Sequence, residues 1–211
     1  MDFNYIVIEG NIGAGKTSLA TRLAEETNSK LILEQFAENP FLPKFYEEPE
    51  RYAFPVELTF LADRYQQLKT QINPRDLFQQ KTISDYYFVK SLIFSRKTLK
   101  DDEYSLYKRL FEIIQQQLTN PDIYVYLHVS PERLLENIKT RGRSYEQNIS
   151  LSYLEEIQKS YFEFFKTHPE MTFLVLDVNQ IDFVNNSTHY YTIKNAILGE
   201  KYKAGMNMII L

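Results

Sequence analysis

Residues 10 to 17 read Gly-Asn-Ile-Gly-Ala-Gly-Lys-Thr and match G-x-x-x-x-G-K-[ST], with Gly10, Gly15, Lys16 and Thr17 in the fixed places. Tyr5 to Glu9, just before, is a β-branched run suited to a buried strand. Ser18 to Thr27, just after, carries Leu19, Ala20, Leu23 and Ala24 at helical spacing. An accidental glycine turn would lack that strand–loop–helix context. Glycines let such a loop turn its backbone N–H groups inward onto phosphate oxygens, and the positive end of the following helix adds to the field. The expected cradle is Gly10, Asn11, Ile12, Gly13, Ala14, Gly15, Lys16, Thr17 and Ser18. Lys16 is to reach the β- and γ-phosphates, and the Thr17 hydroxyl to ligate Mg²⁺. The chain is read as a nucleoside triphosphate binder, with ATP and Mg²⁺ as cofactors.

Charge narrows the partners. There are 24 basic and 28 acidic residues among 211, a net of −4. That argues against a nucleic-acid polymer or an anionic membrane, both of which need clustered positive charge. No cysteine is present, so disulfides and thiolate metal sites are excluded. The three histidines show no metal-ligand spacing. No apolar run reaches the roughly 20 residues of a membrane helix, and the first strand starts too early for a signal peptide. The expectation is a cytoplasmic protein acting on a small anionic ligand.

Apolar segments at 5–9, 30–34, 81–84, 123–129 and 172–177 read as strands. Helical stretches fall at about 15–27, 50–72, 86–97, 103–118, 131–140, 150–167 and 187–198. The alternation predicts an α/β fold: a five-stranded parallel sheet with helices on both faces and ligands at the carboxyl ends of the strands. Ser130 reads as an N-cap with Pro131 at the first helical position. No repeat or linker divides the chain, so residues 1–211 are read as one domain. The apolar tail Ala204 to Leu211 packs either on the body or on a second subunit.

A P-loop alone leaves the substrate open. Glu34 ends the second strand on the ligand side, where a carboxylate can take the proton of an attacking hydroxyl; a merely solvated Glu is the alternative. Asp85 ends the third strand beside the P-loop and can hold Mg²⁺ directly or through water. Glu57 and Arg64 lie two helical turns apart on one face, the spacing of a surface ion pair.

Glu34, Asn39-Pro40-Phe41-Leu42, the stretch Phe45 to Tyr52, Arg141-Gly142-Arg143-Ser144-Tyr145-Glu146-Gln147 and Leu176-Asp177-Val178-Asn179 together resemble the deoxyribonucleoside kinases. The likeness is greatest to short bacterial deoxyadenosine and deoxyguanosine kinases in the deoxycytidine kinase superfamily. With the P-loop, these motifs run in order from position 6 to about 183. The resemblance implies a P-loop kinase fold with a small arginine-bearing lid at about 140–149. It also implies transfer from ATP to the 5′-hydroxyl of a deoxynucleoside, for nucleotide salvage. Glu34 is then the general base, and Tyr46 and Glu146 fall where the sugar 3′-hydroxyl binds. Arg141 and Arg143 are phosphate clamps on a lid that must close, and Asp177, Val178 and Asn179 lie against the ATP adenine.

Two positions depart from the family pattern. An arginine expected after the third strand is missing from Ser84-Asp85-Tyr86-Tyr87, and Glu57 stands where relatives carry glutamine. The resemblance puts that position against the nucleobase, and there a carboxylate that only accepts with an arginine that only donates suits a purine better than a pyrimidine. Complementarity at Glu57 and Arg64 leans to guanine and the resemblance to deoxyadenosine; the expectation is a purine, with deoxyadenosine slightly ahead. The alternatives are a thymidylate kinase-like monophosphate kinase, using Arg51 and Arg64 on its acceptor, and a non-catalytic nucleotide-binding subunit. A homodimer is expected, formed through Phe88-Val89-Leu92-Ile93-Phe94 and Leu106-Tyr107-Leu110-Phe111-Ile113-Ile114.

Overall fold

Strand β1 (Tyr5–Gly10) is buried at every position, which requires cover on both faces of the sheet and a strand on each side. The computed structural model describes residues 3–35, 39–72 and 81–211. The remaining strands are β2 (Lys30–Ile32), β3 (Thr82–Ser84), β4 (Ile123–His128), β5 (Thr172–Asp177) and β6 (Gly205–Ile210). All pair in parallel, in the order β2-β3-β1-β4-β5-β6.

Strict alternation sorts the core into two chemistries. Ile6, Ile8, Val125, Leu127, Leu174 and Leu176 face one way and meet α1 (Lys16–Glu26), α6 (Pro131–Arg141) and α8 (Ser187–Leu198). Tyr5, Val7, Tyr124, Tyr126, Phe173 and Val175 face the other way. Over them lie α3 (Pro49–Ile72), α4 (Val89–Thr98), α5 (Asp101–Gln115) and α7 (Leu151–Thr167). The short α2 (Leu42–Glu47) packs on α3. The aromatic run 161–165 belongs to this second face: Tyr161, Phe164 and Phe165 are buried, and Phe165 meets Tyr124 and Tyr126 edge-on. It builds core. Ser130 caps α6 as its sequence predicts, accepting from the Arg133 N–H.

The sheet has six strands and not five. The tail forms β6 and pairs with β5 along its whole length, from Thr172↔Gly205 to Asp177↔Ile210, so it packs on the body of its own chain. As an edge strand it half-buries alternate positions and leaves Met206, Met208 and Ile210 outward. An apolar hexamer with no strand after it carries little local signal. Helix α2 and the 3-10 turn Ser144–Glu146 add to the expected elements, because six and three residues are too few to show a period.

Candidate active site

The sheet order places β3 on one side of β1 and β4 on the other, so the chain diverges at the carboxyl end of β1. Ligands bind in the crevice such a divergence opens, and the glycine loop sits there. Gly13 (φ 83°) and Gly15 (φ 85°) are both left-handed, and both are hemmed in. A Cβ on Gly13 would lie 2.9 Å from the Leu134 carbonyl, and one on Gly15 would lie 2.7 Å from the Phe183 ring. Asn11 pegs the loop to α7 through Nδ2–H to the Leu154 carbonyl (2.8 Å). Asn137 holds the Gly13 carbonyl from α6 (2.9 Å). Gly15 is the N-cap of α1 and has no side chain to occupy the first-turn N–H groups. Lys16 Nζ donates to the Asn11 carbonyl (2.8 Å), curling over the loop where phosphates would lie. Burial, helped by the charge of Lys90, lowers its ammonium to about 8. Ser18 lies exposed in the first turn.

The Thr17 hydroxyl donates to Asp85 Oδ2 (2.5 Å), and the other Asp85 oxygen accepts the Glu34 N–H (2.7 Å). One carboxylate therefore ties the P-loop to the chain leaving β2. Glu34 lies just past that strand, with its carboxylate between two cations. Arg64 donates from Nε (2.9 Å) and Nη2 (2.6 Å) to Oε1, and Lys90 Nζ donates to Oε2 (2.5 Å). The three side chains are at most 10% exposed. Burial alone would raise Glu34, but Lys90 and Arg64 outweigh it and hold the carboxyl at about 2. Glu34 is an ionised, aimed carboxylate and not a solvated strand end.

Lys90 belongs to no motif in the sequence. It lies in α4 between buried Val89 and Ser91, one helical turn beyond the tyrosines that replace the expected arginine. A lysine buried in an apolar helix is costly without a partner, and that is the signal available for it. Arg64 also departs from expectation. Among the described residues it does not pair with Glu57; Nη1 goes to the Ser91 hydroxyl (2.8 Å) and its other bonds to Glu34.

One cavity takes in Lys16, Thr17, Glu34 and Asp85 at one end, and Tyr46, Glu57, Arg64 and Lys90 further in, with Arg141, Arg143 and Glu146 over it. Glu57 is 4% exposed, so it is no surface ion pair. Its Oε1 accepts the Thr98 hydroxyl (2.8 Å), while Oε2 is buried with no partner among the described residues. Burial raises its carboxyl to about 7, against the opposing pull of the Thr98 hydrogen bond, Arg64 and Lys90.

The lid lies folded onto the cavity and not out in solvent. Gly142 (φ 74°) ends α6, and Glu146, in the turn that follows, accepts from Arg141 and from Arg143 Nη1 (3.2 Å). Tyr145 stacks on Tyr46 of α2, with ring centroids 6.1 Å apart. The arginines are thus already braced by the carboxylate between them. On the far side of the P-loop, Val178 lines a second cleft with Gly15, Arg133 and Phe183. Asp177 and Asn179 bond each other (2.7 Å), and Asn179 Oδ1 accepts the Ser130 N–H (2.7 Å), so they brace that cleft instead of lining it. Arg133, which no motif marks, donates to the Val178, Asn179 and Ile181 carbonyls and fixes its wall. Among the described residues no helix is long and apolar enough to cross a membrane.

A P-loop facing an ionised carboxylate beneath a paired-arginine lid defines a P-loop phosphotransferase. The chain belongs to the deoxynucleoside kinase family, whose model matches residues 6–201. It is 36% identical over 193 residues to a deoxyguanosine kinase of Bacillus subtilis (strain 168), covering 90% of this chain and 93% of that one. A deoxyadenosine kinase of Dictyostelium discoideum is 34% identical over 165 residues, covering 78% and 67%. The solved structure of deoxyadenosine kinase from M. mycoides with bound dATP superposes with a TM-score of 0.78 at 27% identity, covering 92% of this chain and 98% of that one. The protein is a kinase of this family.

Proposed function

We propose that this chain transfers the γ-phosphoryl group of ATP to the 5′-hydroxyl of a purine deoxynucleoside, yielding the 5′-monophosphate and ADP. The observation that carries this reading is the single cavity holding Lys16, Thr17 and the Glu34 carboxylate under the lid arginines. The new bond joins the sugar O5′ to the γ-phosphorus, the bond to the ADP oxygen breaks, and the hydroxyl proton passes to Glu34. Lys16 and the loop N–H groups hold phosphate oxygens, while Arg141 and Arg143 face the charge that spreads over the transferred group. Tyr46 and Glu146, which both line the cavity, bond the 3′-hydroxyl. The Thr17 hydroxyl and Asp85 carboxylate are adjacent hard oxygen donors that fit Mg²⁺, which, when bound, neutralises phosphate charge. Glu57 faces the base. Names among the relatives include deoxyguanosine and deoxyadenosine kinases, and we assign both purines as substrates, within one cytoplasmic salvage domain.

A monophosphate acceptor fits poorly. Arg51 is 69% exposed and paired with Glu48, and Arg64 is committed to Glu34, so neither cation waits for a second phosphate. ADP release measured across deoxynucleosides and the matching monophosphates tests the reading. Deoxyadenosine and deoxyguanosine should turn over fastest; any monophosphate overtaking them would overturn it, and silence throughout would leave a non-catalytic nucleotide-binding subunit.

The homodimer is also proposed, on a narrower surface than the sequence implies. Phe88, Val89, Ile93, Tyr107 and Phe111 are consumed by the chain's own core. Leu106, Leu110 and Ile113 remain exposed at helical spacing on α5, at 42%, 36% and 63%. A second copy covering this strip should give a dimer mass by light scattering at micromolar concentration. A monomer mass there refutes it.

A further inference from the structure

Glu9 carries a carboxyl where the alternation of β1 calls for a core side chain. It follows Tyr5 and Val7 on the aromatic face, in register with Tyr126 of β4, and is fully buried. It lies outside the lining of the acceptor cavity. An apolar residue there would need no partner, whereas a buried carboxyl is tolerated only where donors meet it. Burial pushes the group up, and the cations of Lys90 and then Lys16 pull it down.

Its donors come from two ends of the site. Oε1 accepts the Tyr87 N–H (3.0 Å), 78 positions along the chain. Oε2 accepts the Tyr161 hydroxyl (2.9 Å) and the Gly10 N–H (3.3 Å). Gly10 is the first residue of the phosphate loop. Tyr87 lies in the turn from β3 to α4, two residues after Asp85 and three before Lys90. The Tyr87 carbonyl in turn accepts the Lys90 N–H (3.0 Å), at the start of the helix that delivers Lys90 to Glu34. Asp85 meets both the Thr17 hydroxyl and the Glu34 N–H. One carboxyl therefore holds the phosphate loop and the turn carrying Asp85 and Lys90 against each other, backbone to backbone.

We propose that Glu9 is a positioning residue for phosphoryl transfer: it staples the head of the phosphate loop to the β3–α4 turn and so fixes the spacing between that loop and the Glu34 base with its Lys90 partner. It touches neither substrate and acts through Gly10 and Tyr87. In-line transfer tolerates little error in that spacing, and a displacement of about 1 Å can cost on the order of 10² in rate. Each substrate still meets its own half of the site intact, so binding should survive where turnover does not. The inference rests on the kinase reading given above.

The test is single-turnover phosphoryl transfer, with KM for ATP and for the deoxynucleoside measured separately, on three variants. Glu9→Gln keeps the shape but turns an N–H donor towards one of the two backbone donors whichever way the amide lies, and should lower kcat about tenfold. Glu9→Met loses both backbone bonds and should lower it about a hundredfold. KM for either substrate should stay within about threefold of wild type. Tyr161→Phe deletes a buried bond to the same carboxyl without touching either backbone bond, so it should lose melting temperature but keep kcat. A folded Glu9 variant whose kcat stays within about threefold of wild type overturns the inference, as does a KM rise that accounts for the lost kcat/KM. So does a fall in kcat for Tyr161→Phe as large as that for Glu9→Gln, which makes the carboxyl a packing residue. Failure of both Glu9 variants to fold makes it a folding residue and overturns the inference too. A wild type silent on every deoxynucleoside sinks the kinase reading, and this inference with it; an active wild type with equally active variants sinks the inference alone.

Discussion

Glu34→Gln should lower kcat by about 10²–10⁴ while changing ATP affinity only a few-fold, the pattern of a lost general base. The amide is nearly isosteric and still reaches Arg64 and Lys90, but it has no lone pair basic enough to take the 5′-hydroxyl proton. ATP affinity should survive, because the loop amides, Lys16 and the lid arginines are built from other residues. A second effect must be separated from the first. Glu34 neutralises two buried cations, and removing one partner of such a cluster typically costs about 3–5 kcal/mol of stability. Turnover should therefore be measured well below the variant's melting temperature, with circular dichroism confirming the fold. Near-normal kcat in a folded variant would remove Glu34 from the base role.

The parts of this site written in contiguous residues are legible in the sequence. Gly10 to Thr17 declares itself because strand, loop and helix follow one another directly, and the Arg141 to Glu146 lid does so for the same reason. Side-chain pairing across the fold is not legible there. Helical periodicity puts Glu57 and Arg64 on one face, and both do line the cavity. It has no means of showing that the Arg64 partner arrives from the end of β2, 30 positions away, or that Lys90 comes from 56 positions away. Asp177 and Asn179 show a second limit of sequence order. Sequence order puts the whole segment together, yet of the three only Val178 lines the second cleft, because the two polar neighbours bond each other and Ser130. Strand β6 is a matter of context, since a strand half-buried on alternate positions at a sheet edge needs its partner β5 to be recognisable.

Lys90→Met should lower kcat about 10²–10³-fold, and Lys90→Arg should recover most of the loss. Without Lys90, Oε2 of Glu34 loses a charged donor at 2.5 Å and only Arg64 orients the base. The pH profile distinguishes this from mere loss of packing. Lys90 is among the forces holding Glu34 at about 2, so its removal raises that value and Glu34 takes up protons at a higher pH. The general base must be ionised, so an acid limb of kcat/KM should move up into the mildly acidic range. Lys90 also helps hold Lys16 at about 8, and Lys16 must be charged to attract phosphate. Its value in the free enzyme should rise as well, carrying the alkaline limb upward in the same direction. A bell displaced upward at both limbs, and returned by arginine, is the expected signature. A variant that loses melting temperature but keeps the wild-type limbs would make Lys90 a packing residue, and the catalytic charge left by the absent arginine would have to come from Lys16 and the lid alone.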